Sequence, residues 1–150
     1  MLIEVLTQLY ERDLNKLKSE IDQYRSDEEL WKTAGEISNS GGNLALHLCG
    51  NLRHFIGFVL GGSGYVRDRE LEFSDKDISR DEMQTRIDAT LDEVTSALAK
   101  FTPEDLEKEY PIVVFDAPMT TGYFLTHLAT HLSYHLGQIN YHRRLISANV

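Results

Sequence analysis

Apolar residues recur at three- and four-residue steps along most of this 150-residue chain, and this spacing constrains the fold more than any other feature. Such steps place side chains on one face of an α-helix, which turns by about 100° per residue. No glycine or proline precedes Gly35, so nothing interrupts a helix in the first segment. The apolar face of this predicted first helix is formed by Leu2, Val5 (with Leu6), Leu9, Leu17, Ile21 and Tyr24.

A second helix is predicted over about residues 43–60, with Asn43 as its N-cap. Gly50 and Gly57 weaken this helix slightly, but glycine also lets a neighbouring segment approach closely. The glycine-rich residues 61–64 then end the helix. Because no strand precedes these glycines and no Gly-Lys-Ser/Thr follows them, they indicate a helix stop and not a phosphate-binding loop.

Two further long helices are predicted in the second half of the chain. The third begins at Ser79, which forms a capping-box pattern with Glu82, and its apolar spacing continues to Phe101. The fourth runs from Thr120 to about Ser147 and contains no proline. Four long helices are the expected content of a helical bundle.

The connections between these helices are long. Residues 26–31 are predicted to form a short helical piece, residues 38–42 a loop and residues 65–78 an irregular segment. Residues 112–115 are the only β-like run, and four residues form a short extended link and not a sheet. The chain is therefore predicted to be a single all-α domain over residues 1–150. Long connections favour some parallel neighbours over a simple up-down-up-down order.

Charge and composition exclude several classes of function. Lys plus Arg number 15 and Asp plus Glu number 24, which gives a net charge of −9. This excess of negative charge argues against nucleic-acid binding and against docking on an anionic membrane. No apolar run reaches the roughly 20 residues that cross a bilayer, and no basic residues lead the N-terminus as in a signal peptide. With Cys49 as the only cysteine, the cytoplasm is the expected location.

Six histidines occur on only two of the predicted helices, and their spacing carries the main chemical signal. His127, His131 and His135 are four residues apart, so each is rotated by only about 40° from the one before it. His142 returns to the same face, and His54 follows His47 by seven residues in the same way. Four histidines on one face do not suit a plain hydrophobic core. The leucines beside them do not suit a solvated surface.

Two imidazoles four residues apart can direct their nitrogens at one metal ion, and a third from a facing helix completes a three-nitrogen set. Three protein ligands leave coordination positions open for water or substrate, as in catalytic sites. The alternative is a polar seam of hydrogen-bonded core histidines. The chain contains no HExxH motif, no Glu-x-x-His pattern of di-iron bundles and no Gly-x-Ser-x-Gly, so an ion would carry most of any chemistry.

Two motifs resemble those of the DinB-like superfamily. The run HLSYHLGQI, which begins at His131, is similar to the last-helix motif in which two histidines four apart precede Gly-Gln. The run NLALHLCGNL, which begins at Asn43, resembles the second-helix histidine segment of the same superfamily. Residues 67–73 also resemble an uncharacterised subgroup, and the likeness in helix order and loop length covers nearly the whole chain.

The resemblance implies a four-helix bundle with up-down-down-up topology, commonly a homodimer. It also implies a divalent ion, most often nickel or zinc, held by His47, His131 and His135. His127 matches no ligand position of the family. His54 and His142 lie two further turns along their helices, about 10.5 Å away, where they can line the pocket or a dimer surface.

Other side chains near the motifs allow more than one interpretation. Asn51 and Gln138 lie on the histidine faces, where they can orient a water or an imidazole, or can be ordinary polar residues at the pocket mouth. Cys49 is about 200° around the helix from His47, which favours a buried, inert thiol. Arg67 and Arg69 are interpreted as part of a salt-bridge cluster, with an anionic substrate as the alternative.

Better-known members of the superfamily are thiol-dependent transferases and an isomerase. The first functional hypothesis is therefore a metal-dependent thiol S-transferase or hydrolase that acts on a small molecule, with a low-molecular-weight thiol as co-substrate. The second is a non-catalytic metal-binding helical dimer that serves as a sensor or stress-related module, and the third is an interaction protein whose histidines only pack. The sequence leaves the native metal, the thiol and the substrate open.

Overall fold

The computed structural model describes residues 1–148, of which about two thirds are helical. A 3₁₀ helix (Glu28–Trp31) follows the first helix, and a π-helical segment (Arg53–Phe58) continues the second. The α-helices are α1 (Leu2–Asp22), α2 (Gly41–Leu52), α3 (Arg69–Ser74), α4 (Arg80–Leu98), α5 (Pro103–Glu107) and α6 (Thr121–Ala148). Within these residues, every helix is too short or too polar to cross a bilayer.

Buried contacts show that α1 and α6 run parallel. The Tyr10 hydroxyl, near the middle of α1, donates to the carbonyl of Leu125 near the start of α6. Tyr24, just beyond α1, meets His142 near the end of α6, with 2.6 Å between the hydroxyl oxygen and Nδ1. Because later residues of one helix meet later residues of the other, the two helices share a direction.

Helix α4 runs antiparallel to α1. Gln84, in the first turns of α4, donates to Asp22 at the end of α1 over 2.8 Å. One turn later on α4, Asp88 pairs with Lys18, which lies earlier on α1. Helices α1 and α4 therefore point in opposite directions.

Helix α2 runs antiparallel to α6. The rings of His47 and His131 are 5.0 Å apart, and those of Phe55 and Phe124 are 5.1 Å apart. Since α1 and α6 point one way and α2 and α4 the other, the order is up-down-down-up. The predicted all-α four-helix bundle and its up-down-down-up order are confirmed.

The N-terminus of α2 differs from the prediction. Ser40, not Asn43, is the N-cap, because its Oγ accepts a hydrogen bond from the backbone N–H of Asn43 at 3.1 Å. The side chain of Asn43 instead donates to the carbonyls of Glu72 (3.0 Å) and Asp75 (2.9 Å). Residues 41–42, predicted as loop, are thus the first turn of the helix.

Two other elements also differ from the predictions. The second helix was expected to remain α-helical to Leu60, but the amides of Val59 and Gly61 bond to carbonyls five residues earlier, which widens the turn into a π-helix. The segment 65–78 was expected to be irregular, yet it contains α3. Asp68 caps α3 by accepting from the backbone N–H of Leu71 at 3.2 Å.

His142 is a buried structural residue, and it predicts a pH-dependent stability. Its Nε2 donates to the carbonyl of Lys32 at 2.7 Å, so its Nδ1 accepts the hydrogen of the Tyr24 hydroxyl. Burial lowers the pKa of His142 below 6.5, although the bond to Lys32 and the charge of Glu29 oppose this change. A proton on Nδ1 would remove the acceptor that Tyr24 uses.

We therefore expect the free energy of unfolding of the metal-free protein to fall as the pH drops below about 6.5, where the unfolded chain binds more protons than the folded one. One such group contributes a slope of at most about 1.4 kcal/mol per pH unit. Urea unfolding on both sides of this pH measures the slope. A His142→Gln variant should show a smaller slope than the wild type, and an identical slope would contradict the role of His142.

Candidate metal centre

Three histidines from two facing helices meet at one point between α2 and α6. His47 lies on α2, and His131 and His135 lie one turn apart on α6. One ring nitrogen from each lies within 4.8 Å of the other two. The Nε2 atoms of His47 and His131 are 3.2 Å apart.

This spacing fits a bound transition-metal ion. Two nitrogens held at ~2.0–2.1 Å in a tetrahedral arrangement lie about 3.4 Å apart. The 3.2 Å separation of the His47 and His131 nitrogens therefore needs little adjustment to accept such an ion. Imidazole nitrogen is a ligand for zinc, nickel, copper and iron, so the donor set is chemically suitable but does not identify one metal.

His131 and His135, the two members of this group on α6, are neutral near pH 7, as ligands must be. Burial, together with the neighbouring His135 and His47, lowers the pKa of His131 to about 4. Burial also lowers the pKa of His135, although its bond to Gln138 acts in the opposite direction. Each of these two rings therefore keeps one unprotonated nitrogen, with its lone pair free, over the physiological pH range.

A buried carboxylate contacts the outer nitrogen of His47. The Nδ1 of His47 donates to Oε1 of Glu72 at 2.9 Å, and Arg67 donates to both carboxylate oxygens at 2.8 and 2.9 Å. Burial alone would raise the pKa of Glu72, but the bonds from His47 and Arg67 lower it. Glu72 is therefore ionised, which keeps the hydrogen of His47 on Nδ1 and leaves Nε2 to face His131.

Sequence reasoning did not identify Glu72. Arg67 was assigned to a salt-bridge cluster with residues 68–70, but its partner is Glu72, two positions further along. No helical spacing links residue 72 to residue 47, since they lie on different helices. The signals that the sequence did contain were Gly50, where a close approach was expected, and the acidic residues around residue 70.

Gln138 lies where its spacing placed it, beside a histidine of the site. Its Oε1 accepts a hydrogen bond from Nδ1 of His135 at 2.7 Å, which directs Nε2 of His135 away from Gln138. Asn51 is buried, and its Oδ1 has no hydrogen-bond partner. The outer Nδ1 of His131 is also buried without a partner.

The other histidines and the cysteine lie outside the group of three. His127 packs between the rings of Phe115 and Phe124, at 5.0 and 6.0 Å. His54 packs beside Phe55, and His142 is part of the core as described above. Cys49 is buried, and burial raises the pKa of its thiol to about 11, so it is protonated and unreactive near neutral pH.

A cavity of about 460 Å³ opens beside His135, one of the three histidines. His135 and Gln138 form part of its wall on the side of the candidate site. Leu44 and two tyrosines of α6, Tyr134 and Tyr141, contribute apolar and aromatic surface. A small molecule in this cavity would therefore lie next to a nitrogen donor of the site.

Comparisons with known proteins agree with this architecture. A family model described as "Protein of unknown function (DUF1572)" matches residues 3–150. No protein with a curated function matches the chain significantly.

Three solved structures share the fold. A DinB-like protein from Bacillus cereus has a TM-score of 0.76 at 19% identity, covering 96% of this chain and 92% of its own. A conserved protein from Enterococcus faecalis has a TM-score of 0.77 at 15% identity, covering 97% of both chains. A DinB-like protein from Bacillus subtilis has a TM-score of 0.70 at 17% identity, covering 95% and 91%. At these identities the likeness establishes a shared fold.

Proposed function

Because the chain belongs to the family described as "Protein of unknown function (DUF1572)" and has the DinB-like fold, we propose that it is a metal-dependent enzyme acting on a small molecule. One observation supports this proposal above all others. Ring nitrogens of three imidazoles from two helices lie within 4.8 Å of one another, and one of the three, His135, borders a cavity large enough for a small molecule.

His47, His131 and His135 are the proposed ligands of a divalent ion, with zinc and nickel as the first candidates. When bound, such an ion supplies Lewis acidity that generates a nucleophile from water or a thiol near neutral pH. Glu72 and Gln138 hold the outer nitrogens of His47 and His135, so the inner nitrogens face the ion. We propose Asn51 as a further polar contact at this site, because its buried oxygen has no partner.

An enzyme is favoured over a closed structural site for two reasons. Structural zinc sites use four protein ligands, whereas three leave a position for water or substrate. His135 also borders the cavity that Tyr134 and Tyr141 line, so a small molecule there would lie next to one of the proposed ligands. We propose that a low-molecular-weight thiol is activated here and attacks an electrophile in a transferase reaction, with hydrolysis by activated water as the related alternative.

The proposal predicts metal-dependent conjugation of a thiol. Zinc- or nickel-loaded protein, given a low-molecular-weight thiol and a reactive chloroaromatic compound, should form the thioether and release chloride faster than metal-free protein. The His131→Ala variant should lose this acceleration, and the His127→Ala variant should keep it. Absorbance of the product measures conjugation directly. Conjugation that survives His131→Ala would contradict the site assignment.

A second candidate function is a non-catalytic metal-binding homodimer. Three tyrosines on one face of α6 are exposed to between 64% and 65%: Tyr123, Tyr134 and Tyr141. Aromatic side chains are enriched in protein interfaces. A second copy of the chain on this face would bury them. Sedimentation would then show a dimer, and metal uptake without thiol conjugation would favour this function over the first.

A further inference from the structure

The segment that carries Glu72 is built against the outer side of His47. The side chain of Asn43 donates to the backbone carbonyls at Glu72 and Asp75, which anchors this segment on α2. The ring of Phe73 packs on the His47 ring at 4.8 Å. Glu72 is only 5% exposed, so its carboxylate is buried together with its partners.

Gly50 provides the space that the carboxylate occupies. It lies three residues after His47, about one turn further along α2. A Cβ placed there would overlap Oε2 of Glu72. Any larger residue would push the carboxylate off the helix surface. The absence of a side chain at this position is therefore a physical condition for the contact between Glu72 and His47.

Burying a carboxylate without partners is unfavourable, and here every strong contact of Glu72 is with a hydrogen-bond donor. Arg67 donates to both oxygens, which fixes the plane of the carboxylate, and His47 donates to one of them. An ionised carboxylate is only an acceptor, so the imidazole must present an N–H to it. The lone pair of His47 is then confined to Nε2.

We infer that Glu72, held by Arg67 and accommodated by Gly50, is a positioning residue that fixes the tautomer and ring orientation of His47 for metal binding. This inference rests on the proposed function for its purpose, but the tautomer itself is a property of the metal-free chain. The contact between Glu72 and His47 would raise metal affinity by removing the wrong tautomer and the wrong ring orientation before the ion arrives.

The first test is the tautomer of His47 in metal-free wild-type protein. Nitrogen-15 NMR distinguishes a protonated from an unprotonated ring nitrogen, and a His47→Gln sample assigns the signals. We expect Nδ1 to carry the hydrogen and Nε2 to be unprotonated above pH 7. A hydrogen on Nε2, or rapid averaging of the two tautomers, would overturn the inference.

The second test compares two variants that disturb the contact in different ways. Glu72→Gln replaces one carboxylate oxygen by an amide NH₂ group. Because Arg67 and His47 are both donors, one of them then faces an N–H instead of an acceptor. Gly50→Ala changes neither Glu72 nor any of the three histidines, but its added methyl group displaces the Glu72 carboxylate. Both variants should weaken zinc binding by about 10- to 100-fold, measured by competition with a chelating dye.

Matched controls separate positioning from general damage. Glu70→Gln removes the same charge from an exposed neighbour, and Gly137→Ala adds the same methyl group on α6, where nothing lies within 4 Å. Both controls should keep wild-type affinity. Unchanged zinc affinity in folded Glu72→Gln and Gly50→Ala proteins would contradict the inference, whatever their melting temperatures.

The two levels of the proposal fail in different ways. Wild-type protein that binds no zinc or nickel would refute the proposed function, while the NMR result would still decide whether Glu72 fixes His47. Wild-type protein that binds zinc with His47 in the other tautomer would refute only the positioning role.

Discussion

Replacing His131 with alanine should lower the affinity for zinc or nickel by more than about 100-fold, because loss of a ligand exceeds the 10- to 100-fold effect of losing an outer contact. The Nε2 of His131 lies 3.2 Å from that of His47, another proposed ligand. Without it, the two remaining imidazoles offer only a two-nitrogen site, which does not hold zinc well against competing ligands.

His127→Ala is the control for this prediction. His127 lies one turn before His131 on α6, but it packs against Phe115 and Phe124 and is not one of the three grouped histidines. Protein purified without an affinity tag, loaded with zinc and dialysed, would be measured by elemental analysis. Equal metal retention in the His131→Ala and wild-type proteins would disprove the proposed ligand set.

Replacing Phe124 with alanine should lower the free energy of unfolding by about 3–5 kcal/mol, as for other buried phenylalanines. Its ring is 1% exposed and packs against those of Phe55 and Tyr110, at 5.1 and 4.5 Å. The truncation would leave a cavity where α2 and α6 meet. Urea unfolding followed by circular dichroism measures the loss.

The neighbouring Tyr123 is a matched control because it lies on the same helix but is 64% exposed. Tyr123→Ala should change the free energy of unfolding by no more than about 0.5 kcal/mol, as is usual for surface positions. Similar losses for the two variants would mean that the packing of Phe124 contributes little to stability.

Much of the fold could be predicted from local spacing. The apolar steps of the first segment and the capping box at Ser79 correspond to α1 and α4, since Oγ of Ser79 accepts from the backbone N–H of Glu82. The start of α2 could not be predicted in the same way. Both Ser40 and Asn43 are good N-caps, and the choice depends on the carbonyls of Glu72 and Asp75, which take up the side chain of Asn43.

Local spacing likewise predicted one part of the candidate site and not the other. That His131 and His135 share a face follows from the helix repeat alone, because residues four apart point nearly the same way. Their meeting with His47 depended on the family resemblance, since 84 positions separate it from His131. That these three histidines ligate a metal remains a prediction.

The sequence by itself determined the four long helices and the faces on which their histidines lie, because helix formation and side-chain direction depend on residues within one or two turns. Only the tertiary structure decided that Glu72 would contact His47, 25 positions away, with Arg67 as the partner of the carboxylate. Such a contact depends on how α3 packs on α2 at Gly50, and packing results from the whole core and not from local spacing.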